Sequence, residues 1–188
     1  MKSIDVRRMH LRDQAVLDDW FDEAMDDETV RPYLTTGQSF PTLTVPEYHE
    51  EGAVFMDTES RGVVKIYMEP ESRTAKLGIW VLSGDKKNQR GVIAYHLVER
   101  AIEWMENHGG VHYVGVRTMS SNDEGMIFAE RMFVQWGIEN HAVMDTSRLR
   151  HVQTNTWVHW IHYRISLVSF KGRMDDWNKI NKERYGND

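Results

Sequence analysis

The chain has no cysteine among its 188 residues. That excludes disulfides, thiolate metal sites and cysteine nucleophiles, and it suits a reducing compartment. No apolar run approaches the roughly 20 residues that span a bilayer. The first residues, MKSIDVRR, lack an apolar core of the signal-peptide kind, so no signal peptide is expected and the expected location is the cytoplasm. Proline is scarce, four in all, and two of them fall within residues 29–45. Positive charge is in deficit: 23 Lys and Arg stand against 29 Asp and Glu, for a net charge of −6. This balance argues against nonspecific nucleic-acid binding. There is no HExxH pattern, no internal repeat and no low-complexity linker.

What is present reads as one soluble domain with an ordinary apolar fraction of 40%. Residues 3–8 alternate as a strand. Leu11, Leu17, Trp20, Phe21 and Ala24 recur at helical spacing over 11–25. The opposite face is acidic, with Asp18, Asp19, Asp22 and Glu23. It reads either as a solvated face or as an attraction for a cationic amine. Residues 29–45 read as a loop, and Pro46 is placed to open a short helix through Glu51. Three strands then follow, near 53–57, 63–69 and 75–82, separated by TESRG and PESR; this is a meander.

Residues 75–107 are the most informative stretch. A short apolar strand, Leu77 to Leu82, runs into a polar loop that closes on Arg90-Gly91 and opens into an amphipathic helix. The apolar stripe of that helix is Ile93, Leu97, Ala101, Ile102 and Met105, and Gly109-Gly110 ends it. The first N–H groups of a helix have no partner within it, and the helix dipole places partial positive charge there. A strand, a glycine-bearing loop and a helix N-terminus therefore form a phosphate cradle, or else a plain connection with a charged turn. A strand near 112–119 follows. Ser121 to Glu124 reads as a capping box for a helix through Trp136. Strands are expected near 140–145 and 153–166, and the charged stretch 169–188, with Trp177, reads as a helix or arm. A meander followed by crossover helices implies an α/β (α+β) fold, with a mixed, mostly antiparallel sheet covered by helices on both faces.

That order, with Gly78-Ile79-Trp80-Val81-Leu82 and Arg90-Gly91 at its centre, resembles the GNAT superfamily of acyl-CoA-dependent N-acetyltransferases. The resemblance is closest to the branch that acetylates ribosomal-protein and peptide N-termini. Asn122 and Gly137-Ile138 match the start and end of that family's following helix. The resemblance covers residues 1–166 as a GNAT-like domain and leaves 167–188 as a C-terminal helical arm through which a homo-oligomer could form. It implies acetyl-CoA as acyl donor and a primary amine of a small molecule, peptide or protein as acceptor, with no metal and no membrane. Trp80, Val81 and Leu82 would meet the pantetheine. The N–H groups of Gln89, Arg90, Gly91, Val92 and Ile93 would hold the pyrophosphate, with Lys86, Lys87 and Arg90 as charged partners and Asn122 opening the next helix.

Two positions depart from the family pattern. Ile93 stands where glycine or alanine belongs, and a branched side chain there is expected to keep the backbone from a pyrophosphate. Phe133 stands where many members carry a tyrosine acid. These departures support a second reading, a GNAT-like binding or structural module without catalysis, of the kind carried in phage genomes and virions. Candidates for the base are Glu69, Tyr67 and His159. His159 and His162 differ by an odd number within one strand, so they point to opposite faces and do not share an ion. A third reading, nucleic-acid chemistry, rests on Arg148, Arg150, His151 and Arg164.

Overall fold

The computed structural model describes residues 4–28, 30, 43–82, 90–119, 122–130, 145–150 and 157–185. Among them, strands β1 (Val6–Arg8), β2 (Gly52–Asp57), β3 (Gly62–Glu69), β4 (Thr74–Val81), β5 (Tyr113–Met119), β6 (Asp145–Arg150) and β7 (Trp157–Ser166) form one sheet in the order β1-β2-β3-β4-β5-β7-β6. Four α-helices accompany them among the described residues: α1 (Gln14–Asp26), α2 (Arg90–His108), α3 (Asp123–Ala129) and α4 (Leu167–Tyr185). Every neighbouring pair is antiparallel except β4 with β5. The expected mixed, mostly antiparallel sheet with helices on both faces is what forms.

Strand alternation divides the core into two layers. Phe55, Val64, Ile66, Ala75 and Leu77 lie on the face covered by α2. The stripe predicted for α2 is buried there in full, and Tyr95, Val98 and Trp104 join it. Phe170 and Met174 of α4 belong to the same cluster. Val54, Met56 and Val63 point the other way, against Leu17, Trp20 and Ala24 of α1. The acidic residues of α1, Asp18, Asp19, Asp22 and Glu23, are exposed to water, as a solvated face would be.

Local signals explain the joints. Gly109 takes φ +74° just past the end of α2, the left-handed cap that glycine favours. The β2–β3 turn is built on Asp57, whose carboxylate accepts from the N–H groups of Arg61 at 2.7 Å and Gly62 at 2.6 Å, and from Arg61 Nε at 3.1 Å. Three sequence expectations need correction. Only a single 3₁₀ turn, His49–Glu51, forms where a helix from Pro46 was expected. Strand β6 spans Asp145–Arg150, of which only Asp145 was expected as strand, and the rest of the strand expected near 140–145 lies outside the described residues. Asn122, not Ser121, caps α3, its side chain accepting from Gly125 N at 2.9 Å. The expected continuation of α3 to Trp136, with Phe133 and Gly137, lies outside the described residues.

Candidate functional site

The parallel pair β4–β5 holds only from Thr74↔Tyr113 to Leu77↔Val116. Both strands run on, β4 to Val81 and β5 to Met119. Beyond Leu77 and Val116 the two have no mutual pairing, so the sheet opens between Gly78–Val81 and Arg117–Met119. On its other side β4 stays paired with β3 as far as Gly62↔Val81. Among the described residues the inner lips of this split therefore carry strand edges with no strand partner, a place inside the sheet where an extended ligand can add main-chain hydrogen bonds.

The N-terminus of α2 stands at the end of β4. Arg90 Nε donates to Leu82 O at 3.3 Å, tying the helix start back to the strand end. Leu82 N donates to Arg61 O at 2.8 Å. Both backbone groups of Leu82 are thus engaged, and of the predicted pantetheine contacts only Trp80 and Val81 lie on the split edge. Gly91 is exposed, and a Cβ built on it meets nothing within 4 Å. Val92 is half-buried. Lys86, Lys87 and Gln89 lie outside the described residues.

Ile93 is 3% exposed, and its side chain faces the sheet. Its Cγ2 lies 2.8 Å from the point where a Cβ of Gly62 would stand. The expected obstruction of the cradle therefore does not arise: the bulk is directed into the core, where a glycine on β3 makes room. Thr118, on the β5 lip, is buried on the α2–α3 face, and its Oγ1 has no hydrogen-bond partner among the described residues. It lies 2.6 Å from where a Cβ of Gly125 would stand, so α3 packs close against this lip. Tyr163 of β7 sits in register with Val116 at the apex of the split, and its hydroxyl donates to Met126 Sδ at 3.9 Å. Burial, with Glu130 nearby, pushes its pKa up, so it stays protonated.

The base candidates do not gather in one place. Tyr67 and Glu69 stand at the far end of β3, and Glu69 pairs in register with Thr74 at the closed end of the β4–β5 pair. Glu69 is some four residues, about 13 Å, from the split. There it is bound to Lys76 and accepts from Ser72 Oγ at 3.2 Å. His159 is exposed and pairs in register with Arg148 on β6. Asn122 is spent on its helix cap. Among the described residues, no three His, Asp or Glu side chains gather as a metal site would need, and no helix is long and apolar enough to cross a membrane.

One buried charge beside the split was missed in the sequence. Lys65 is 9% exposed and pairs in register with Gly78, the first residue of β4 past the last β4–β5 pair. Burial pushes its pKa down. The signal was there: a lysine inside the apolar run VVKIY of a strand covered on both faces.

No protein-family model matches the sequence, and no curated protein sequence does. Among solved structures many match in fold. An acetyltransferase of the GNAT family from Streptococcus pneumoniae is 12% identical with a TM-score of 0.57, covering 87% of this chain and 99% of that one. The ribosomal-protein-S5-alanine acetyltransferase from Vibrio fischeri is 14% identical with a TM-score of 0.61, over 88% of this chain and 94% of that one. Mutant forms of the spermidine/spermine N-acetyltransferase from Vibrio cholerae are 12% identical with a TM-score of 0.57, over 92% of this chain and 99% of that one. At these identities the likeness is one of fold, and the fold is that of the GNAT acetyltransferases.

Proposed function

We propose that this protein is an N-acetyltransferase that moves acetyl from acetyl-CoA onto a primary amine. The observation that carries the reading is the split between β4 and β5, with the start of α2 at the end of β4. An extended chain with a phosphate at one end suits this geometry. The first-turn N–H groups around Gly91 and Val92, with the helix dipole behind them, suit a pyrophosphate. The open space at Gly91 lets that ligand approach the backbone.

The edge of β4 at Trp80 and Val81 suits the amides of a pantetheine arm, and the buried Thr118 hydroxyl offers a further polar contact. Lys86, Lys87, Gln89 and Arg90 would add charge and hydrogen bonds at the phosphate end. Acetyl-CoA would supply an acyl group already activated as a thioester. The protein's part is then to orient, to exclude water and to meet the developing charge with fixed N–H donors on the strand edge. With Glu69 and Tyr67 toward the closed end of the β4–β5 pair and His159 exposed on β7, loss of the amine proton is assigned to solvent rather than to any of them. The reading places the protein in the cytoplasm, where acetyl-CoA is made available.

Calorimetry and thermal unfolding with CoA test this. A ligand at 100 times its dissociation constant stabilises a fold by about 2.7 kcal/mol. No shift at millimolar CoA overturns the reading. A shift without release of free thiol from acetyl-CoA, across amines of varied charge, favours a binding module instead.

A further inference from the structure

We propose that the cavity between the end of β1 and residues 45–53 binds a small organic anion, a carboxylate or phosphate ester carried on an apolar body, at a site separate from the split. The cavity measures about 670 Å³, a size that suits a small molecule.

Its place in the fold sets it apart. Gly52, in its lining, pairs in register with Tyr67, which pairs with Lys76 inside the closed stretch of the β4–β5 pair. His49, also in its lining, stacks on His108, the last residue of α2. The start of α2 stands at the split, and the helix is 19 residues long, so its two ends are about 27 Å apart.

The lining is cationic although the chain is acidic. Arg8, His10, Arg12 and His49 line the cavity against one carboxylate, Glu47, while the net charge of the chain is −6. The neighbouring Asp13 is already engaged, accepting from Arg7 Nη1 at 3.2 Å and from the N–H of His10 at 2.9 Å. Arg8 is half-buried, and no hydrogen bond or ion pair holds its guanidinium among the described residues. A guanidinium stays charged and presents paired N–H donors that match the oxygens of a carboxylate or phosphate. Met9, Val45 and Ala53 add apolar surface beside these charges. The walls are also fixed. Met9 N donates to Val54 O at 2.8 Å, which ties the first wall to β2. The Gln14 amide ties the second to α1, accepting from Val45 N at 2.9 Å and donating to Leu43 O at 3.2 Å. Gly52 has φ +145°, and a Cβ there would meet Ile66 O at 2.0 Å, so no side chain can occupy that part of the lining. A concave cationic site with walls set in advance favours an anion with an apolar part and repels a polyamine.

The test is an NMR titration of the whole isotope-labelled chain with benzoate, phenyl phosphate, benzamide and inorganic phosphate. Benzoate or phenyl phosphate is expected to shift the amide signals of Gly52 and Ala53 and to bind at least about tenfold tighter than benzamide. Inorganic phosphate, which lacks an apolar body, is expected to bind more weakly than phenyl phosphate. Arg8→Gln is expected to abolish the preference for the anion and Arg12→Gln to reduce it, while the dissociation constant for CoA changes less than about twofold. Benzamide bound as tightly as both anions, no binding of either anion at millimolar concentration, or shifts centred on Gly91 to Ile93 instead overturns the inference. So does inorganic phosphate bound as tightly as phenyl phosphate, or a full preference in folded Arg8→Gln. Should Arg8→Gln fail to fold, an undiminished preference in Arg12→Gln overturns it equally. A larger change in CoA affinity in either folded variant overturns the separation of the two sites.

Discussion

Ile93 and Gly62 are packed as a pair: the Cγ2 of the first fills the space that a side chain on the second would need, at 2.8 Å from its Cβ position. Leu97 and Val81 close the same space at 3.0 and 3.2 Å. Ile93→Ala should therefore leave a cavity and cost about 2–4 kcal/mol in urea unfolding. Gly62→Ala should cost about 1–3 kcal/mol through overpacking. Neither should change the dissociation constant for CoA more than about twofold, beyond which the side chain would be acting in the cradle.

Gly91 is the opposite case, a first-turn residue with open space where a side chain would go. Gly91→Asp should stabilise the fold, by about 0.5–1 kcal/mol, because an acid at a helix N-terminus suits the dipole and glycine is a poor helix former. The same carboxylate would repel a pyrophosphate, so CoA affinity should fall at least about tenfold. A variant that gains stability and keeps its CoA affinity would place the phosphates elsewhere.

Asp57 organises the β2–β3 turn with a carboxylate that is wholly buried and accepts three hydrogen bonds, one from the Arg61 guanidinium. Removing one partner of a buried pair leaves the other uncompensated. Asp57→Ala should cost about 3 kcal/mol, measured by urea unfolding, and Asp57→Asn less, since one oxygen can still accept from the two N–H groups. Equal losses in the two variants would mean that the charge, not the turn, carries the effect.

The central elements were legible because each is covered on at least one face, so burial dictates their pattern. The strands β2, β3 and β4 and the helix α2 fall within one or two residues of the boundaries read from periodicity. Strand β6 was missed for the converse reason. Its sequence DTSRLR is polar, and it lies at the sheet edge with β7 as its strand partner, so no apolar alternation marks it. The split between β4 and β5 is not legible in the sequence, since pairing in register is not written in either strand. Ile93 was misread because a motif position says which residue stands there but not where its side chain points. That direction comes from how α2 is rotated against the sheet.

His108, at the end of α2, is stacked on His49 with ring centroids 5.2 Å apart at 7°, and its centroid is 4.7 Å from that of Trp104. Burial first and the neighbouring His49 second push its pKa below the usual 6.5, against a smaller opposing pull from Glu50. The native state thus resists a proton that the unfolded chain accepts. This contribution to stability is fully present above about pH 6.5, and it is lost as pH falls through that value and toward the lower native pKa. Urea midpoints at pH 7.5, 6.5 and 5.5 should decline in the native sequence, and His108→Phe should flatten that decline. An unchanged slope in the variant would assign the effect to other groups.

The last helix is tied to the core by specific side chains. Phe170 is fully buried and Met174 nearly so, within the cluster that holds Leu97, Ala101 and Tyr163. Trp177 meets the ring of Tyr95 on α2 edge-on, with centroids 5.8 Å apart. Lys171 pairs with Glu106 on the surface, a contact of small consequence in water. Phe170→Ala should then cost about 3–5 kcal/mol, a loss of the size measured for buried aromatics. Lys171→Ala should cost under about 1 kcal/mol. If α4 instead served only to join two copies of the chain, Phe170→Ala would lower the apparent mass in light scattering and leave the urea midpoint of dilute protein unchanged. A fall in the midpoint that is independent of protein concentration would show that the helix completes the fold of each chain.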